Sequence, residues 1–548
     1  MYRNDVEIKE EYNRWMRNVD DDMLNVLKGM DEDQIKDSFY IDLEFGTGGM
    51  RGLMGAGTNR MNHYSIARAT KGFANWLKKN KGNHDLSVAI AFDTRHNSKE
   101  FAEIASEVLS DKGIKSYVFT DPAPTPLLSF AVRDLSCSGG IVITASHNPS
   151  SYNGYKVYTS DGTQAVPNVA SEIITEIKKV DYFDNSEKNK ELISTMPEET
   201  KKRFEGTIIN LMKDLQPDVR PIKVLFSPLH GTGHPYVTDV IRKLGHNVSV
   251  VEEQITPDGD FPTLDFPNPE DKESFFLALK MTKELKPDLI ITTDPDCDRM
   301  GIMCLVDGEY IRLSGNEIGV LMFDYLIEKG KCDNDYYAIK TIVTTDLTKE
   351  MAFKNNIELM ETLTGFKFIG ELIEKNEQVG KGRFLFGFEE SYGYLYGTHV
   401  RDKDAVVASA LVTTMISQIN KGENVSKRLE LIYKKYGYYG NKLLSFNYKG
   451  YEGNEKIKRI MKNFREEREI VVGNNKLLEK IDYLEGAQGL PKSDVIELQY
   501  ENDIKLIVRP SGTEPKIKFY LMVKATSEEE KYEKLDLLEK TVKEQVNK

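Results

Sequence analysis

The chain is poor in cysteine: its 548 residues include only Cys137, Cys297, Cys304 and Cys332, and no two are spaced as C-x-x-C. That pattern argues against a zinc knuckle and a disulfide-stapled scaffold. No run approaches the ~20 consecutive apolar residues that a membrane-spanning helix needs. Positive charge is also short, because 74 Lys and Arg face 87 Asp and Glu, for a net charge of −13 and a pI near 5.4. A surface of that sign repels nucleic acid, whose binding begins by neutralising backbone phosphates. Met1 to Glu10 is charged throughout, unlike a secretory leader, so a cytoplasmic protein is expected. No G-x-x-x-x-G-K-[ST] loop is present, which leaves nucleotide hydrolysis without support. The glycine-rich run from Phe45 to Gly52 fails the G-x-G-x-x-G spacing, since Arg51 stands where the third glycine belongs. Arg51 in such a loop reads better as a phosphate contact.

What is present is a β/α rhythm. The length suggests about three or four domains at ~100–200 residues each. Short apolar runs at Ser87–Phe92, Ser116–Thr120, Gly140–Thr144, Ile222–Ser227, Asn247–Val251, Asp288–Thr293, Ala338–Thr344 and Phe384–Phe388 read as strands. Helical periodicity falls between them, as at Phe101, Ile104, Ala105, Val108 and Leu109, with Asn97 or Ser98 available as a cap. This alternation predicts an α/β fold on parallel or mixed sheets. The first ~40 residues, with Trp15, Val19, Met23 and Val26 at near-helical spacing, predict an amphipathic helical arm. The last ~100 residues predict a small α+β domain, with strands at Val495–Tyr500, Ile504–Val508 and Lys516–Val523. A long helix follows, opened by a capping box at Ser527 and Glu530. Charge-rich stretches near 180–205 and 420–465 are candidate boundaries, though a solvated helix face explains them as well.

Three polar loops follow strands or join them. Thr144-Ala145-Ser146-His147-Asn148-Pro149 can expose a serine hydroxyl among loop N–H groups, a setting for a phosphate. Asp294-Pro295-Asp296-Cys297-Asp298-Arg299 gathers carboxylates two residues apart, which can converge on one hard cation; Mg²⁺ fits best, and the EF-hand spacing is absent. Arg509-Pro510-Ser511-Gly512-Thr513-Glu514-Pro515 offers a planar guanidinium fork with further donors for a second phosphate. His147 adjoins Ser146, but neighbouring side chains seldom face one another, so a loop-structuring or phosphate-contacting role is expected. His399 lies in a charged run, Gly397 to Asp404, suited to an anion.

Together these loops resemble the α-D-phosphohexomutase superfamily, and within it the bacterial phosphoglucomutases, from about Leu43 onward. The resemblance implies four domains around a central cleft: three related α/β domains with mixed sheets plus a C-terminal α+β domain. It places an N-terminal arm and phosphoserine domain at 1–205, a metal-binding domain at 206–318, a sugar-binding domain at 319–438 and a phosphate-binding domain at 439–548. By the same resemblance Ser146 is the phosphorylated serine, and Asp294, Asp296 and Asp298 hold Mg²⁺ together with a phosphoserine oxygen. Arg51, Lys156, His147 and His399 join Ser146 as catalytic candidates, Lys156 as a candidate base. Glu389 and Ser391 grip sugar hydroxyls; Lys367, Lys403, Arg509, Ser511, Gly512 and Thr513 bind substrate. The implied reaction interconverts α-D-glucose 1-phosphate and glucose 6-phosphate through phosphoserine and glucose 1,6-bisphosphate. The Glu389-Glu390-Ser391-Tyr392-Gly393 loop favours glucose, with mannose and pentose phosphates as the alternatives. The expected partner is a sugar phosphate, with no nucleic acid or membrane, for a monomer or small homo-oligomer. Two rivals are a phosphatase forming an aspartyl-phosphate on Asp294 and a silent sugar-phosphate sensor.

Overall fold

Short apolar runs alternating with one-faced helices become three α/β layers, and a fourth, antiparallel sheet follows them. The computed structural model describes residues 2–46, 49–82, 85–184, 189–215, 220–419, 423–448, 450–466, 470–511 and 516–547. They fall into two units: Met1–Cys304, Gly370–Val379 and Gly393–Gln418 form one, and Leu305–Ile369, Gly380–Tyr392 and Ile419–Lys548 the other.

In the first unit, strand Ser87–Phe92 runs parallel to Lys115–Val118 on one side and Gly139–Ile143 on the other. Gly139–Ile143 then pairs antiparallel with Tyr152–Thr159, and that strand with Gly49–Leu53, so the sheet is mixed. A second sheet sets Asn247–Val250, Lys223–Ser227 and Leu289–Thr293 parallel, with Met300–Val306 antiparallel to the last. Every residue of Gly139–Ile143 and Leu289–Thr293 is buried, as expected of central strands covered on both faces. The loops 144–149, 228–233 and 294–299 leave the C-terminal ends of these parallel strands, where α/β sheets place their ligands.

The second unit holds a parallel set, Glu358–Thr362, Tyr336–Thr341 and Arg383–Glu389. It also holds an antiparallel sheet in the order Tyr438–Asn447, Lys516–Ala525, Ile504–Pro510, Ile496–Tyr500, Leu477–Asp482. Helix Glu528–Asn547 buries Leu535, Leu538 and Val542 against that sheet, in a core with Leu498, Leu506, Phe519 and Leu521. On another face, Ile507, Tyr520 and Met522 share a cluster with Ile342, Val343 and Leu363, which joins the two sheets of this unit. Among the described residues no helix is long and apolar enough to cross a membrane.

Several local expectations change. The N-terminal arm is three short helices, Asp5–Asn18, Asp21–Lys28 and Glu32–Phe39, each capped by its own side chain from Asn4, Asp20 or Asp31. Those caps interrupt the period that linked Trp15 to Val26. Trp15 is fully buried against Phe39, Tyr64, Tyr182 and Phe183, while Val26 is exposed. Helix Ser98–Asp111 has no side-chain cap: Asn97 is left-handed, and the Ser98 hydroxyl donates to Asp93 Oδ1 at 2.7 Å. At the last helix, Ser527 Oγ accepts from Glu530 N at 3.2 Å, but the Glu530 carboxylate closes back on Thr526 instead of Ser527. The charge-rich stretches do contain helices with a solvated face: Glu198–Lys213 buries Phe204, Ile208 and Met212, and Gly450–Glu466 buries Ile457, Ile460, Met461 and Phe464.

Candidate active site

Ser146 sits where strand Gly139–Ile143 gives way to a tight turn. Its φ of 52° is left-handed, a conformation that costs a non-glycine residue about 1–2 kcal/mol and that clusters at functional sites. The turn is held locally: Ser146 N donates to Thr144 Oγ1 at 2.8 Å, and Asn148 N to Ala145 O at 3.2 Å. The turn also brings His147 Nδ1 to 3.1 Å from Ser146 Oγ, so these neighbours face one another against the expectation. The left-handed conformation of Ser146 itself removes the alternation that would send their side chains apart.

The aspartate loop meets this serine. Ser146 Oγ donates to Asp294 Oδ2 at 2.7 Å, across 148 residues of chain. Asp294 Oδ1 accepts from the backbone N–H groups of Asp298 (3.1 Å) and Arg299 (2.9 Å), which fold the loop back on itself. Asp296 is fixed from the first sheet's side by Thr125, whose N–H meets Asp296 O at 2.9 Å and whose hydroxyl meets Oδ2 at 3.0 Å. Loop 228–233 backs it: Thr232 N donates to Pro295 O at 2.8 Å. Gly231 is needed there, because a Cβ would fall 2.3 Å from Pro295 Cα.

Asp294, Asp296 and Asp298 are fully buried, with one carboxylate oxygen from each within 4.8 Å of the others. Burial first, then Asp298 and Asp296, push Asp294 well above the ordinary carboxylate range. Burial pushes Asp296 up as well, but Lys156 and then Lys403 outweigh it and hold Asp296 below that range. The ammonium of Lys156 lies 2.8 Å from Asp296 Oδ2 and 3.6 Å from Asp298 Oδ2; that of Lys403 lies 2.7 Å from Asp298 Oδ2. Asp296 Oδ1 and Asp298 Oδ1 remain buried without a hydrogen-bond partner among the described residues. An all-oxygen donor set with orphaned acceptors fits a hard divalent cation such as Mg²⁺.

The other sequence candidates of this unit are placed as follows. Arg51, on strand Gly49–Leu53, donates to Asn148 Oδ1 at 2.9 Å and so touches the serine loop. Lys156, on strand Tyr152–Thr159, acts here as a donor to the aspartates. Lys403 joins the aspartates too. His399 does not join the serine: its Nε2 meets Asp404 Oδ2 at 2.9 Å and its ring lies against Phe204. Asp404 in turn caps helix Ala405–Gln418, buried at every residue but its last, by accepting from Val406 N and Val407 N.

In the second unit, Glu389 Oε1 accepts from Gly365 N at 2.7 Å, which ties the Glu389–Ser391 loop to Thr364–Phe368. Lys367 is buried with its ammonium over the Phe368 ring. Arg509 lies near the end of strand Ile504–Pro510 and Ser511 directly after it; Arg509 reaches the Tyr520 hydroxyl, and Ser511 N donates to Lys516 O at 2.7 Å. Gly512 and Thr513 lie outside the described residues.

Sequence reasoning passed over Arg95, Asp93 and Thr125. The signal available was slight: an Asp-x-Arg turn directly after an apolar strand, 51 residues before Ser146.

Comparison with known proteins agrees with this picture. Profiles for α/β/α domains I, II and III of phosphoglucomutase/phosphomannomutase match residues 42–183, 201–306 and 314–436. A phosphoglucomutase of Staphylococcus haemolyticus is 37% identical over 526 residues, covering 92% of this chain and 95% of its own. One of Staphylococcus aureus (strain USA300) is 35% identical, covering 96% and 97%. Among solved structures, a phosphoglucomutase/phosphomannomutase family protein of Burkholderia thailandensis has a TM-score of 0.67 at 17% identity, over 91% of this chain and 97% of that one. Parafusin, a phosphoglucomutase of Paramecium, has a TM-score of 0.65 at 19% identity, over 91% and 96%. At those identities the two structures speak for the fold.

Proposed function

The chain belongs to the phosphoglucomutase/phosphomannomutase family, and on that premise we propose that it interconverts α-D-glucose 1-phosphate and glucose 6-phosphate through phosphoserine 146. The observation that carries the reading is the Ser146–Asp294 hydrogen bond, which sets a strained serine against three buried aspartates. Phosphoserine 146 gives its phosphoryl group to O6 of glucose 1-phosphate. The resulting glucose 1,6-bisphosphate reorients, and its 1-phosphoryl group returns to Ser146. In each half-reaction a phosphoryl group and a proton exchange places, so no water and no redox partner is consumed.

Asp294, Asp296 and Asp298 would hold Mg²⁺ with an oxygen of the phosphoserine. When bound, the ion supplies charge neutralisation for the moving phosphoryl group. Lys156, Lys403 and Arg51 add fixed positive charge near Ser146, and His147 faces its Oγ. Glu389, Ser391 and Lys367 read the sugar, while Arg509, Ser511, Gly512 and Thr513 take the phosphate that is not reacting. His399 acts through Asp404, in a supporting role. In this reading the four functional parts occupy 1–205, 206–318, 319–438 and 439–548, in a cytoplasmic enzyme that works as a monomer or small homo-oligomer.

The test is covalent labelling with glucose 1,6-bisphosphate carrying labelled phosphate. Acid-stable label on Ser146, lost in Ser146→Ala together with turnover, is expected. Hydroxylamine-labile label on Asp294 would replace this reading with the phosphatase. Rates on glucose, mannose, glucosamine and ribose 1-phosphates decide the sugar, and a preference for any but glucose overturns the role given to Glu389 and Ser391.

A further inference from the structure

Arg95 is a buried guanidinium devoted to the backbone of the serine loop. Its Nη2 donates to Ser146 O and Asn148 O, both at 2.5 Å, and its Nη1 to Pro149 O at 2.7 Å and Tyr152 O at 3.2 Å. Its Nε lies 3.2 Å from Asp93 Oδ2, with both side chains fully buried. Asp93 is itself oriented, because its Oδ1 accepts from Ser98 Oγ and Arg95 N. On the remaining face the guanidinium lies 4.9 Å from the ring centroid of Phe261, a buried residue in the left-handed conformation.

Five partners around one rigid fork exceed what is needed to neutralise a single aspartate. Four of them are carbonyls of residues 146–152, the stretch whose strained turn aims Ser146 Oγ at Asp294. A planar guanidinium can hold such a set of carbonyls in one geometry, whereas an ammonium with three rotating donors cannot.

We propose that Arg95, backed by Asp93 and Phe261, is the positioning residue that sets the orientation of Ser146 for phosphoryl transfer; this rests on the phosphoserine reading above. The terminal nitrogens of Arg95 donate to loop carbonyls and its Nε is buried against Asp93, so it acts through the loop. Its loss therefore lowers the rate of transfer and leaves sugar binding in place.

The experiment compares Ser146 phosphorylation by glucose 1,6-bisphosphate, read by phosphopeptide mass spectrometry, with kcat and KM for glucose 1-phosphate. Arg95→Lys keeps the charge and loses the fork. It is expected to slow phosphorylation roughly 30–100-fold, as small misplacements of a reacting group do, with KM changed less than about threefold. Guanidinium ion is expected to restore part of the rate of Arg95→Ala. If Arg95→Ala does not fold, Phe261→Leu still tests the idea, because it keeps every hydrogen bond of the fork and removes its backing ring. A fall of about three- to tenfold is expected there. Wild-type phosphorylation rates in folded Arg95→Lys and Phe261→Leu overturn the proposal, as does a loss confined to KM. Ser146→Ala separates the two readings. If it is inactive while Arg95→Lys is normal, only the role of Arg95 falls; if it turns over normally, the phosphoserine itself falls.

Discussion

Two buried charge clusters, one in each unit, are made of the same residue types and do opposite things. In the second unit, Lys340 Nζ lies 2.9 Å from Asp346 Oδ1 and 2.8 Å from Glu361 Oε1, and also donates to Thr344 O. Lys349 pairs with both carboxylates, and Lys505 binds Asp346 from the antiparallel sheet. Three lysines thus surround two carboxylates. Burial raises Asp346 and Glu361, but the lysines outweigh it and hold both below the ordinary carboxylate range. In the first unit, two lysines meet three aspartates, and Asp294 is driven up. A cluster in which every carboxylate is matched by a lysine is built to hold strands together. One with fewer lysines than aspartates, and with Asp294 driven up, is built to receive something.

Removing one carboxylate from the crowded cluster should separate function from stability. Asp294→Asn is expected to reduce turnover roughly 10³-fold, about 4 kcal/mol of transition-state stabilisation. Without added metal its melting temperature should equal or exceed that of the wild type, because a repelling charge is gone. Mg²⁺ should then raise the melting temperature of the wild type more than that of the variant, since only a bound ligand shifts the folding equilibrium. A variant that loses stability and activity together would erase the contrast between the clusters.

The matched cluster should answer in the other way. Lys340→Met leaves Asp346 and Glu361 facing each other beside a buried methionine, with a cost of about 3 kcal/mol in stability. Turnover per folded molecule should stay within about twofold. Lys349→Ala, at a side chain 44% exposed, should cost less than about 1 kcal/mol. Calorimetry of the three proteins checks this, and an unchanged melting temperature for Lys340→Met would show that the network contributes nothing.

The two clusters also differ in how far they could be read without a structure. Asp294, Asp296 and Asp298 stand in one loop after an apolar strand, and Ser146 in another, so contiguity makes both visible. Lys340, Asp346, Glu361 and Lys505 come from separate elements, where each looks like an ordinary surface charge. Arg95 escaped for the same reason, since its partners lie about 50 residues away. Central strands were legible because apolar runs carry their own signal. Strand Tyr152–Thr159 was not, since tyrosines, Asn153 and Lys156 dilute its pattern although six of its eight residues are buried. Helix Ala405–Gln418 has no polar face to give it a period, because it is buried nearly all round. The register that faces His147 toward Ser146 depends on one left-handed φ, which residue identity does not announce.

The smallest effect tests the electrostatics of the matched cluster directly. Asp346 and Glu361 titrate below their unfolded values, so above about pH 5 they are largely ionised in both states and their stabilisation is nearly complete. As pH falls below about 5, the unfolded chain takes up protons that the folded unit still refuses. The unfolded state then binds more protons, and stability declines with pH until the folded carboxylates protonate as well. Glu361→Gln removes one of the two groups. The difference between wild type and Glu361→Gln should therefore be on the order of 2 kcal/mol at pH 6 and shrink as pH falls below about 5. Thermal unfolding in matched buffers measures it. A difference that stays constant with pH would mean that Glu361 contributes by packing, and the distinction between a cation-saturated and a cation-seeking cluster would lose its electrostatic basis.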